Sequence, residues 1–275
     1  MDEKNALHTT ARRFCQERHS HWAKKYNELG SAMDSQEGLR LFPRYRLDEA
    51  MLVEIERLVP SEFTSLQHAR ASLAVAAEQA CNALLTEFKG NGPETVAIKE
   101  ELSAFHQYIN QFGEAELKTI TALPYRRVLT QIESEKFWKT LQARWDIGRE
   151  HCWYPLSETS RPEQVIAFHR ELWNARDADT LLRRFLTERK IERCILFREV
   201  PPDYEIASSL APRHYDGDES FLTSDFEWVL YVSHESSVTV AGTLAEFFRN
   251  AWPDSAQVTY GGPFHTEDLR GTWKW

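Results

Sequence analysis

FEWVLYVSHESSVTVAG, residues 226–242, is the stretch that decides how the second half of this chain is read. Phe226, Trp228, Leu230 and Val232 recur at every second position, so an extended chain places them on one face. Glu227, Val229, Tyr231 and Ser233 take the opposite, mixed face, which water or a second element can cover. The polar tetrad His234-Glu235-Ser236-Ser237 interrupts the apolar run and Val238-Thr239-Val240 resumes it. Two β-branched and aromatic runs around a short polar segment predict an antiparallel hairpin in a sheet core. Gly242 ends the second strand, and Thr243 caps a helix whose apolar positions are Leu244, Phe247, Phe248 and Trp252.

Upstream of the hairpin the pattern mixes helix and strand. Pro162 opens an expected helix carrying Val165, Phe168, Leu172 and Trp173. Asp177 or Asp179 starts another through Leu181, Leu182, Phe185 and Leu186. Residues 191–200 read as a strand stopped by Pro201-Pro202, with weaker strands at 204–210 and 257–260. This order predicts a module over 162–275 with a mainly antiparallel sheet and packed helices.

The first half reads differently. Leu7, Phe14, Trp22, Tyr26 and Leu29 form a helical stripe, and Leu47, Met51, Ile55 and Leu58 form a second one after an extended approach through Pro43. Further helices are expected over 60–88, with an alanine-rich centre that implies close packing, and over 94–112. One more begins near Glu114, and the last, over 125–147, buries Val128, Leu129, Ile132, Phe137, Trp138, Leu141 and Trp145. The expectation is an α+β protein: a helical bundle over 1–148, a packed linker over 149–161, and every strand after Lys190.

Composition excludes several classes. No apolar run approaches the roughly 20 residues that span a bilayer, and MDEKNALHTTARRF lacks the apolar core of a secretory signal. Cys15, Cys81, Cys152 and Cys194 are scattered, with no CxxC spacing, as in reduced cytoplasmic proteins. The net charge of -9 is uneven: residues 1–150 hold 20 basic and 22 acidic side chains, and residues 151–275 hold 13 and 20. The acidic second half is poorly suited to nucleic acid, whose affinity rests on basic side chains displacing counterions, and better suited to a basic protein partner. The pairs Arg12-Arg13, Arg126-Arg127 and Arg183-Arg184 read as solvated helix faces, because acidic residues are mixed among them. Arg44 and Arg46 read as structural partners of carboxylates in the helix that follows them.

Chemistry has few places to reside. His214, Asp216 and Asp218 precede the hairpin, His234 and Glu235 occupy its tip, and His265, Glu267 and Asp268 follow the last expected strand. A histidine among carboxylates can bind a divalent metal or act as a general base, so His234, His214, Asp216 and Asp218 are the metal candidates. His234, Glu235, Asp216 and His214 are the catalytic ones. The signature is incomplete. Val238 stands where HExxH needs its second histidine, and Asp216-Gly217-Asp218 lacks the terminal glutamate of a calcium loop. Cys15, His19 and His21 share a helix, but nothing else in the first hundred residues supplies the remaining ligands of a closed zinc site. Ser157, Ser233 and Ser236 lie outside any GxSxG context, and neither GxGxxG nor GxxxxGK[ST] occurs.

RRFC at 12–15 with Trp22 and Tyr26, and LFPRYRLDEAMLVEIERL at 41–58, resemble the start of a family of uncharacterised bacterial proteins. WVLYVSHESSVTVAG at 228–242 resembles a module near the C-terminus of such proteins. The resemblance implies a bacterial cytoplasmic protein and supplies no catalytic residues. The expected function is a non-enzymatic interaction or regulatory protein, such as an immunity, antitoxin-like or defence-accessory factor. A metal-dependent hydrolase using the His/Asp/Glu cluster is the alternative.

Overall fold

The computed structural model describes residues 2–88, 90–148, 153, 160, 162–211, 219–233 and 237–254. The chain divides into two compact units, Met1–Leu123 and Pro124–Trp275. The division falls ahead of the expected 149–161 linker.

The first unit is helical throughout its described residues. Helices α1 (Glu3–Glu28), α2 (Gly38–Glu56), α3 (Leu66–Glu87) and α4 (Pro93–Gln111) pack together, followed by the short α5 (Glu114–Leu117). Local chemistry sets the starts. Asp2 accepts the Asn5 N–H at 2.8 Å, Ser65 accepts the His68 N–H at 3.0 Å, and Pro93 takes the first position of α4. Leu7, Phe14, Met51, Ile55, Leu73, Ile98 and Phe105 are buried in the core, each large aliphatic or aromatic chain contributing about 1.5–3 kcal/mol by leaving water. The alanines Ala69, Ala76, Ala77 and Ala80 are buried as their pattern predicts. Pro43 departs from expectation: it lies inside α2, not before it. Leu41, Pro43 and Leu47 are all buried, and that packing holds the helix through the hydrogen bond that proline cannot make.

The second unit is a seven-stranded antiparallel sheet with helices on both faces. Its strands are β1 (Arg126–Val128), β2 (Val165–His169), β3 (Arg193–Arg198), β4 (Tyr204–Ala207), β5 (Ser220–Thr223), β6 (Trp228–Val232) and β7 (Ser237–Gly242), in the order β1-β4-β3-β5-β6-β7-β2. The hairpin of β6 and β7 sits inside this sheet, with Leu230 opposite Val240. Every residue of both strands is buried, so the mixed face expected to meet water or a second element is covered. Val229 and Tyr231 lie under α6 (Gln131–Trp145), whose Trp138, Leu141 and Trp145 share their core. On the other face the Trp228 ring meets Phe185 of α8 (Ala178–Glu188) at 5.5 Å. Phe168 meets Trp173 of α7 (Arg170–Ala175), and Phe248 and Trp252 of α9 (Thr243–Ala251) and its end.

Three expectations are corrected. Residues 165–169 form a strand, so not every strand follows Lys190. Val165, Ile166, Ala167 and Phe168 are all buried, and a run covered on both faces shows no alternation to betray it. The segment 125–147 is not one helix. Arg126–Val128 pairs with β4, and Thr130 with Glu133 forms a capping box that starts α6 at Gln131. That start leaves Ile132 80% exposed, although its pattern predicts burial. Finally, α6 belongs to the sheet and not to the bundle, because its tryptophans fill the face left open by the hairpin. The expected strand at 257–260 lies outside the described residues.

Candidate functional site

His214, Asp216, Asp218, His234, Glu235, His265, Glu267 and Asp268, with Ser157 and Ser236, all lie outside the described residues. The described residues that flank 212–218 and 234–236 gather at one end of the sheet. Ser220 pairs with Val232, Val232 with Val238, and Ser237 with His169. There the buried Glu219 accepts the Tyr231 hydroxyl at 2.9 Å and the Ser233 hydroxyl at 3.3 Å. The Trp153 N–H donates to the Tyr231 oxygen at 3.3 Å. Burial, and then the Glu219 charge, push the Tyr231 phenol well above its ordinary range. A phenol so held donates and does not ionise, which makes this a brace between β5 and β6. Ser233, weighed as a nucleophile, is part of that brace.

Among the described residues no three His, Cys, Asp or Glu side chains are placed to hold a metal ion. The Cys15–His19–His21 grouping separates. Cys15 is fully buried, its thiol pushed up by burial and by the charges of Asp48, Glu56 and Glu101. His19 packs edge-on to Tyr45, and His21 edge-on to Trp22.

A different constellation stands in the helical unit. Arg40, Arg44 and Asp48 recur one turn apart along α2, and Arg18 and Trp22 recur likewise on α1. Glu101 of α4, fully buried, accepts Arg18 Nε at 2.6 Å and Nη2 at 2.7 Å, and Arg44 Nη1 at 2.8 Å. Its neighbour Glu100 takes Arg44 Nη2 and Arg40 Nη2, the latter at 3.2 Å. The Arg18 and Arg44 guanidinium carbons stand 4.6 and 5.0 Å from the Trp22 ring centroid, and Lys25 Nζ stands at 5.2 Å. Beneath them Asp48 is fully buried, and neither of its oxygens has a hydrogen-bond partner among the described residues. Burial, then the Glu101 charge, raise its carboxyl to about 9 against the pull of Arg18 and Arg44, so it is protonated at neutral pH.

These side chains open onto a recess of about 540 Å³ lined by Arg18, Trp22, Gln36, Glu37, Arg40, Leu41, Arg44 and Pro93. Glu100 and Glu101 hold the guanidiniums without consuming them. Arg18 Nη1, Arg40 Nε and Nη1, and Arg44 Nε donate to no described atom. The arrangement presents fixed positive donors beside an indole wall, which is the chemistry of anion recognition. Comparison with family models, curated proteins and solved structures finds no match. The resemblance at 12–58 and 228–242 therefore stands on those residues alone.

Reading the sequence pairs Arg44 with carboxylates but does not single out this recess. Arg46 does reach Glu49, and also Glu87, but Arg44 pairs with Glu100 and Glu101 of α4 and not with the carboxylates that follow it in sequence. The Arg18-x3-Trp22 and Arg40-x3-Arg44 spacings were the available signal. Among the described residues no helix is long and apolar enough to cross a membrane.

Proposed function

We propose that this is a non-enzymatic interaction protein of a bacterial cytoplasm, of the immunity, antitoxin-like or defence-accessory kind, that grips an anionic group of a protein partner. The observation that carries the reading is the set of unengaged N–H groups on Arg18, Arg40 and Arg44 around one recess. A guanidinium carries five N–H donors, and pairing with one or two carboxylates leaves some of them over. Here the carboxylates fix the planes, and donors are left facing solvent at the recess. The free, buried thiols of Cys15, Cys81 and Cys194 support a reducing compartment. The resemblance of the two quoted segments supports a bacterial source.

A fluorescein-labelled peptide rich in aspartate, glutamate and phosphoserine tests the reading by anisotropy against the full-length protein. The Arg40 side chain is 51% exposed, so Arg40→Glu reverses one charge without disturbing the core. Saturable binding that Arg40→Glu abolishes is the expected result. Equal binding by both proteins, or none by wild type at millimolar concentration, contradicts the proposal.

A further inference from the structure

We infer that the anionic group this recess takes is a carboxylate with a cationic group beside it, as where glutamate or aspartate adjoins lysine in a partner segment; this rests on the reading that the recess takes an anion at all. Its surroundings carry both signs. Arg18, Arg40, Arg44 and, over the Trp22 ring, Lys25 stand against Glu37, Glu94, Glu100 and Glu101, four charges of each sign. A site without net charge exerts little long-range pull on a bare anion. A run of negative charges entering it meets the acidic groups as well as the basic ones. A ligand that carries both signs meets each with its opposite.

Groups of both signs are left unengaged. Glu100 and Glu101 are committed to guanidiniums, but Arg40 Nε and Nη1 donate to no described atom, and each bound Nη keeps a second hydrogen. Arg40 therefore retains a parallel pair of N–H groups for a carboxylate. On the other side, the Glu37 carboxylate lines the recess and has no hydrogen-bond or ion-pair partner among the described residues, although Arg40 lies one turn along the same helix. Glu94 follows Pro93 of the lining, turns its carboxylate back beside Gly92, and is likewise unpaired among the described residues. Leu41 and Pro93 add apolar surface that the methylenes of a lysine can cover while its ammonium reaches a carboxylate. Stacking of two guanidiniums on Trp22 holds the donors in place before a ligand arrives, which lowers the ordering cost of binding.

The test is fluorescence anisotropy of the full-length protein with three labelled, glycine-spaced peptides of equal length at one ionic strength: glutamate–lysine, glutamate–glutamine and lysine–glutamine. The glutamate–lysine peptide is expected to bind at least about threefold more tightly than the glutamate–glutamine one, the size of effect that exposed charge contacts give. Glu37→Gln, at an exposed position, should weaken the first and tighten the second, and Arg40→Gln should weaken both. Glutamate–glutamine binding as tight as glutamate–lysine, or a Glu37→Gln variant that keeps the wild-type ratio of the two affinities, overturns the inference while leaving an anion-binding recess intact. Binding unmoved by Arg40→Gln places the ligand elsewhere and overturns it. Lysine–glutamine binding as tight as glutamate–lysine makes the site one for cations and removes the proposed function as well. Failure of all three, together with failure of the acidic peptide, does the same.

Discussion

Arg18 and Glu101 meet through two hydrogen bonds of 2.6 and 2.7 Å, joining α1 to α4 at the floor of the recess. Glu101 is fully buried and also holds Arg44, whose side chain is 13% exposed. Removing the carboxylate strands two guanidiniums. Since the Arg18 side chain is 31% exposed and can turn to water, the cost of Glu101→Ala is discounted to about 2–3 kcal/mol. Arg40→Ala, at the exposed rim, is expected to cost less than about 0.5 kcal/mol. Urea unfolding of both variants checks the contrast; equal midpoints would show that the Glu101 pairs do not hold the unit.

Asp48 and His8 give the helical unit opposite pH dependences. The Asp48 carboxyl is raised from 3.8 to about 9, so the folded state keeps a proton that the unfolded state has released. Its contribution to stability is full below the unfolded value and is lost as pH rises toward about 9, at up to about 1.4 kcal/mol per pH unit. Asp48→Asn removes that slope, so its melting temperature relative to wild type should climb steadily with pH. A difference that stays constant between about pH 5 and about pH 9 would refute the burial argument.

His8 runs the other way. Burial lowers its imidazole from 6.5 to about 4, while Nε2 bonds the Ile55 carbonyl at 2.9 Å. The unfolded chain takes up this proton first, so the His8 contribution is present above about pH 6.5 and is lost as pH falls toward about 4. His8→Gln should flatten the acid limb of the stability curve, and an unchanged limb would refute this assignment.

Much of the fold is legible because periodicity survives packing. The hairpin at 228–242, the alanine-rich α3 and the helix after Thr243 follow from spacing alone. What the spacing hides is the identity of the neighbour. Trp138, Leu141 and Trp145 announce an apolar helix face, but a sheet covers that face where a helix was expected. Val165, Phe168, Leu172 and Trp173 satisfy a helical stripe, yet the first two belong to a strand and the last two to a helix. The recess is less legible still. Arg44 finds its carboxylates more than fifty positions away, and no local pattern brings Glu101 under Arg18.

Gly242 tests the second unit. It adopts φ +64°, where a side chain is strained, and a Cβ built on it would lie 2.0 Å from the Glu227 carbonyl oxygen and 2.9 Å from the Trp145 ring. Backbone cannot yield as a flexible side chain can. Gly242→Ala is expected to destabilise this unit by about 2–4 kcal/mol, and a variant melting with wild type would contradict that packing.

Trp228 marks the core of the same hairpin. It is 1% exposed and meets Phe185 edge-on. Trp228→Ala should cost about 3–5 kcal/mol, measured by loss of near-ultraviolet circular dichroism on heating. A melting temperature within a degree or two of wild type would show this face is not core.

The recess itself is read most directly by the arginine Nε–H resonances of the full-length protein during titration with the acidic phosphopeptide. Arg40 and Arg44 each carry an Nε–H that donates to no described atom, whereas the Arg18 Nε–H is already bound to Glu101. The account predicts that the Arg40 and Arg44 signals shift downfield together and saturate at one equivalent, while the Arg18 signal moves little. Peptide binding that leaves both signals in place would contradict it.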